Sequence, residues 1–252
     1  IPEADAELIE LAGRHADRLS VNIELPTENS LEHFAPEKSG STIRKAMADV
    51  RSNIDDRTDA QKSRLIKKAK PPKFAPAGQS TQMIVGADSS NDASILHTST
   101  NLYAGYQLRR VYYSAFSPIP DASRDLPLIR PPLIREHRLY QADWMLRFYG
   151  YQTSDITSAM DDGMLDLAID PKLAWALKWR ENFPVDINRA PKESLLRVPG
   201  LGPKNVAKIL SARRHASVGL EDLKRLRVSL SKVRPFIITR DWSPGRLTDS
   251  AD

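Results

Sequence analysis

Two glycines, a proline and a lysine separate two apolar helical patterns in VPGLGPKNVAKIL, residues 198–210. Gly200 and Gly202 carry no β-carbon to oppose a positive φ, so they suit a tight bend between helices. Pro203 fits the first position of the helix that follows, where the N–H it lacks would go unpaired anyway. Such a bend presents amide N–H groups and the positive end of a helix dipole at a spot with no side-chain bulk. That is an anion site, and a phosphate is its natural guest. Lys204 adds a full charge, and Leu201, Asn205, Lys208, Arg213 and Arg214 complete the candidate surface. A contact with a sugar-phosphate backbone would position a strand rather than read its sequence. A plain αα-hairpin would use the same glycines for its turn alone. The full PGLGPK string, the apolar helix on each side and the local basicity favour the anion site. Gly200→Val or Gly202→Val is then expected to abolish binding while the fold survives.

A second constellation lies in RLSVNIELP, residues 18–26. As a strand, it puts Ser20, Asn22 and Glu24 on one face and Val21, Ile23 and Leu25 on the other. One explanation is a sheet with one wet face. The other is a parallel barrel whose polar row points into the lumen, where barrel enzymes hold substrate. The remaining candidates read as structural. His15, His33, His97, His137 and His215 are scattered without ligand spacing, which predicts surface or packing positions and no metal site. Asp161 and Asp162 read as a helix end, KKAKPPK (67–73) as a solvated linker with DNA-backbone contact as the alternative, and Trp144, Phe148, Trp175 and Trp179 as core at helical spacing with a base-stacking platform as the alternative.

These residues need elements to hold them. The pattern predicts helices over 3–18, 41–54 (capped by Ser41) and 91–106, with strands over 18–26, 81–87 and 109–116 and a loop over 55–80. Alternating helices and strands imply a mostly parallel sheet with right-handed crossovers. The proline-rich SPIPDASRDLPLIRPP then closes the region, and no further strand is expected. Helices follow at 134–150, ending at Gly150, and at 171–182, with Asp170 as cap and Pro171 at the first position. Residues 184–240 read as helical hairpins only, the first helix (187–198) capped by Asn188. SVGLEDLKRLRVSLSKVRPFI (217–237) looks like a second hairpin whose turn, RVSLSK, lacks both glycines.

The 252 residues suffice for two domains, and no apolar run approaches the length of a membrane span. No cysteine is present, so disulfides and thiolate metal sites are excluded. The formal charge is +5, yet Arg189–Arg240 alone holds thirteen Lys/Arg against three acids, a surplus of ten. The remainder therefore carries −5, and a polyanionic partner is expected at the C-terminal end. A location in the cytoplasm and no membrane partner are the matching expectations.

The hairpin region resembles the helix-hairpin-helix family of DNA-binding modules that ignore sequence. SVNIELPTENSLEHFAP, APAGQSTQMIVGADSSNDASIL, RRVYYSAFSPIP and REHRLYQADWMLRFYG together resemble a DNA modification or repair family of radical S-adenosylmethionine proteins carrying such a module. The resemblance spans essentially the whole chain. It implies a partial parallel (β/α) barrel over 1–133, a helical connector over 134–183, an all-α helix-hairpin-helix domain over 184–240 and a tail over 241–252. It also implies that Ser20, Asn22 and Glu24 approach the ribose and amino-acid part of S-adenosylmethionine, with Gly86 beside the adenine. The family's 4Fe-4S cluster needs three cysteines after the first strand, and the resemblance begins only in the third helix. This polypeptide therefore cannot ligate the cluster in the family's way. Ile1 in place of Met points to a piece of a longer enzyme; a DNA-binding protein with an αβ scaffold is the other expectation.

Overall fold

The computed structural model describes residues 4–62, 73–120 and 123–245. Residues 67–72 of the lysine-rich segment lie outside them. The chain has a mixed α/β fold with short parallel sheets and no closed barrel among the described residues. It forms two compact units, Ile1–Leu139 and Tyr140–Asp252.

In the first unit, helix α1 (Ala6–His15) begins at Asp5, whose carboxylate accepts from the Leu8 N–H. Strand β1 (Leu19–Ser20), helices α2 (Glu28–Phe34) and α3 (Gly40–Lys62), strand β2 (Gln79–Val85), helix α4 (Asp92–Tyr106) and strand β3 (Arg110–Ala115) follow. The three strands are parallel and stand in sequence order β1-β2-β3, joined by helical crossovers. Met83, Val85, Val111 and Tyr113 from the sheet are buried with Ile43, Met47 and Val50 of α3 and Ile95, Leu96 and Leu102 of α4. Each such side chain contributes roughly 1.5–3 kcal/mol when fully buried.

Two expectations change here. Helix α3 runs on to Lys62, through the first eight residues of the expected loop, because residues 55–62 contain no glycine or proline and Arg57 reaches back to Glu10 of α1. Ser39 rather than Ser41 starts it, its hydroxyl accepting from the Thr42 N–H at 3.4 Å. The first strand is also interrupted. Ser20 pairs with Ser80 but Glu24 pairs with Met83, so four steps oppose three and one residue bulges out. Glu24 takes φ 64°, and the Leu25 N–H turns back to the Ile23 carbonyl at 2.8 Å.

Helix α5 (Leu133–Phe148) ends before Gly150, which has φ 72°. Within the second unit come α6 (Thr153–Thr157), α7 (Pro171–Lys178), strand β4 (Val185–Asp186), α8 (Lys192–Arg197), α9 (Pro203–Ala212), α10 (Leu220–Arg225), α11 (Leu230–Val233) and strand β5 (Ile237–Ile238). Asp170 caps α7 by accepting from the Leu173 N–H at 3.0 Å. Strands β4 and β5 form a two-residue parallel ladder, so the C-terminal unit is not purely helical. That ladder ties the chain entering the first hairpin to the chain leaving the second. Asn188 does not cap α8; its amide makes two bonds with the Val218 backbone, at 3.1 and 2.8 Å, and joins the hairpins. Asp161 and Asp162 begin a tight turn instead of ending a helix. Asp162 and Gly163 both have positive φ, between Asp161 and Met164, whose backbones exchange two hydrogen bonds.

Edge-to-face ring pairs run through the second unit's core, from Tyr151 to Trp175 (5.3 Å), Phe183 (6.3 Å) and Phe236 (5.2 Å). Trp175 is buried, as its spacing predicts. Trp144, Phe148 and Trp179 are not: they are 53%, 51% and 38% exposed.

Candidate functional site

The bend between α8 and α9 is a four-residue turn closed by the Leu201 N–H on the Val198 carbonyl at 3.1 Å. Pro199 occupies its second position and Gly200, at φ 84°, its third, which is a type II turn. Leu201 is buried, as are Val206 and Ile209 of α9, so the bend is anchored in the core. Gly202 is then the extended residue before α9, and Pro203 is the first residue of that helix. No side chain caps α9, and the amides of Gly202, Lys204 and Asn205 find no partner among the described residues.

The two glycines differ. A β-carbon on Gly200 would meet the Lys232 β-carbon at 2.8 Å and Val233 Cγ1 at 3.0 Å. Gly200 is therefore required by the packing of α11 as well as by its φ. A β-carbon on Gly202 would meet only the Tyr149 hydroxyl, at 3.4 Å, and its φ of −102° suits any residue. Only at Gly202 does the structure leave room for a valine within an intact fold.

The cationic candidates also separate. Lys204 and Lys208 are exposed one helical turn apart on α9, and neither has an ion-pair partner among the described residues. Arg214 is exposed just past the helix end. Arg213 donates Nη1 to the carbonyls of Ile187 and Ala190 (3.0 and 2.7 Å), which ties the entry of the hairpin together.

The bend lies on a cleft of about 320 Å³ within the second unit. Trp144, Tyr149, Asp170, Lys172 and Lys232 share its lining with Gly200–Gly202. Lys172 is 7% exposed and donates to the Leu201 carbonyl at 2.6 Å, with its ammonium 4.6 Å from the Tyr149 ring centre. Burial lowers its pKa to about 7, against the opposing charge of Asp170. Burial and the same carboxylate raise the pKa of Tyr149. Lys172 does not stand out in the sequence as part of a site, and the spacing of Trp144 favours core over a base-stacking surface. A lysine in a helix's first turn is ordinarily solvated, and tryptophan at helical spacing is ordinarily core.

In the first unit the bulge brings Ser20 and Asn22 together, the hydroxyl donating to the amide oxygen at 3.0 Å. Glu24 is held apart by an ion pair with Lys38 at 3.0 Å. The space that Gly86 leaves open is filled by Pro131, whose Cγ lies 2.8 Å from where a β-carbon would stand. Past β2, Asp88 accepts from Ser30 and from Ser90, and buried Asp92 pairs with Arg135 at 2.8 Å. With no cysteine in the chain, and no group of three or more His, Asp or Glu gathered among the described residues, these residues do not fit a 4Fe-4S cluster. All five histidines are exposed. No described helix is long and apolar enough to cross a membrane.

Comparison with protein-family models, with curated proteins and with solved structures finds no match to this chain. The site is therefore argued from its own geometry.

Proposed function

We propose that the chain binds the sugar-phosphate backbone of DNA, without sequence preference, through the helix-hairpin-helix formed by α8 and α9. The observation that carries this reading is the uncapped start of α9. Its amides at Gly202, Lys204 and Asn205 and the exposed ammonium groups of Lys204 and Lys208 have no partner among the described residues, and of the bend's two glycines Gly202 is the one whose missing side chain would meet only the Tyr149 hydroxyl. The surplus of ten positive charges over Arg189–Arg240 supplies attraction at longer range.

On this reading the αβ unit is the later part of a partial radical S-adenosylmethionine barrel in an enzyme of DNA modification or repair. Three parallel strands in sequence order, joined by helices, support it. A second reading keeps the DNA contact and treats the αβ unit as a scaffold. It draws support from Glu24 and Gly86, which are occupied by Lys38 and Pro131 in place of a ligand.

The DNA contact is tested by anisotropy titrations over a range of salt. Gly202→Val removes nearly all affinity for duplex while the urea unfolding midpoint stays put. Lys204→Ala weakens binding equally across sequences and lowers the salt slope by about one unit. Strong sequence preference, or affinity indifferent to salt, overturns the proposal.

A further inference from the structure

We infer that the cleft beside the first hairpin receives an unpaired nucleotide base, with Trp144 as its stacking surface. The substrate is then DNA that exposes a base, at a gap, a bulge or a flipped position. The inference rests on the backbone contact proposed above and adds to it the class of DNA that is preferred.

Three observations converge. Trp144 is 53% exposed on α5, where its ring meets Phe148 edge to face at 6.3 Å and lines the cleft. An exposed tryptophan beside a concave surface offers an apolar face of the kind on which any base stacks, whatever its identity. The cleft's about 320 Å³ lies within the range of small-ligand sites. Its polar groups suit a nucleotide. Lys232 and the Gly200–Gly202 bend line the cleft too, a positive charge and a stretch of backbone suited to a phosphate. Asp170, with one oxygen engaged by the Leu173 N–H, adds a carboxylate that accepts from a base amino group.

A fully paired duplex cannot use this cleft, because its bases are stacked on one another. It meets only the hairpin amides and the lysines. An exposed base, held near the bend by its own phosphate, is presented to Trp144. The preference arises without base-specific hydrogen bonding, in keeping with a backbone contact that ignores sequence.

The test compares a fully paired duplex with the same duplex interrupted by a single-stranded gap, using anisotropy at one salt concentration. Wild-type protein binds the gapped DNA about tenfold tighter or more. Trp144→Ala brings the gapped DNA down to the duplex affinity and leaves the duplex affinity unchanged, and Trp144→Phe keeps part of the preference. Equal wild-type affinity for the two DNAs overturns the inference, as does a Trp144→Ala loss shared equally between them. Both results leave the backbone contact standing. Absence of binding to the paired duplex removes the backbone contact itself, and the inference with it.

Discussion

The two hairpins of the C-terminal unit make the same bend with different residues. In each, a left-handed residue is followed by a buried apolar one, then by an extended residue that opens the next helix. The first uses Gly200, Leu201 and Gly202; the second uses Arg227 (φ 63°), Val228 and Ser229. Their local solutions differ. The first is a type II turn built on Pro199 and Gly200. The second is a Schellman ending of α10, in which the Val228 N–H reaches the Leu223 carbonyl at 3.0 Å and the Arg227 N–H the Lys224 carbonyl at 2.9 Å. The geometry of the bend therefore does not require glycine. Glycine stands at 200, where Lys232 and Val233 need the space, and arginine is accepted where the left-handed residue faces water. α11 is only four residues long, and its Lys232 and Val233 pack on Gly200, so the second hairpin forms a wall of the first one's site.

The largest effect that would sharpen this contrast comes from Gly200→Val. A β-branched side chain at φ 84° is strained, and it would press on Lys232 and Val233. Backbone strain and overpacking together cost about 3 kcal/mol. Urea denaturation should show that loss in full, whereas Gly202→Val should show almost none. Equal midpoints for the two variants would mean that the hairpins are not packed as described.

The second contrast lies in what holds each bend. Lys172 bonds the Leu201 carbonyl, while no side chain bonds the Val228 carbonyl among the described residues. Because burial lowers the pKa of Lys172 to about 7, the folded chain releases this proton above pH 7, while the unfolded chain keeps it until its ordinary pKa of 10.5. The unfolded state binds more protons in that window, so this group makes stability rise with pH, by at most about 1.4 kcal/mol per pH unit. Below pH 7 both states are protonated and the slope vanishes. Urea midpoints of wild type and Lys172→Met at pH 6, 7, 8 and 9 test this: the rise between pH 7 and 9 should be absent from the variant. Burial raises the pKa of Tyr151 well above that window, so it does not mask the rise. Identical slopes would show that Lys172 is not held as a buried amine.

Much of this site was legible in the sequence where the signal is local. Asp170 as cap, Pro203 as first helical residue and Gly150 after α5 follow from chemistry within a few positions of each residue. What was not legible depends on distant partners. Lys172 bonds the Leu201 carbonyl, twenty-nine residues away, and Arg213 bonds the carbonyls of Ile187 and Ala190. The β4–β5 ladder escaped because a two-residue strand has no periodicity. Trp144 and Trp175 share one sequence signal, yet one lines a cleft and the other lies in the core. In the first unit, alternation in VNIEL was read correctly as burial, since Val21, Ile23 and Leu25 are all buried. The bulge at Glu24 was invisible, because it is set by pairing with β2.

The smallest predicted effect cuts closest to the contrast between the bends. Arg227 holds φ 63° with an exposed side chain, a conformation that costs a non-glycine residue about 1–2 kcal/mol. Arg227→Gly relieves that strain but increases the freedom of the unfolded chain, which offsets it by about 0.5–1 kcal/mol. The net expectation is a gain of about 0.5 kcal/mol in urea denaturation. The variant also removes a positive charge from the second bend. If only the first hairpin touches the strand, the salt dependence of duplex binding should keep its slope despite that loss. A slope lower by about one unit would place Arg227 against a phosphate. The second bend would then be a contact in its own right, reached by a side chain where the first uses its backbone, and the division into site and wall would fail.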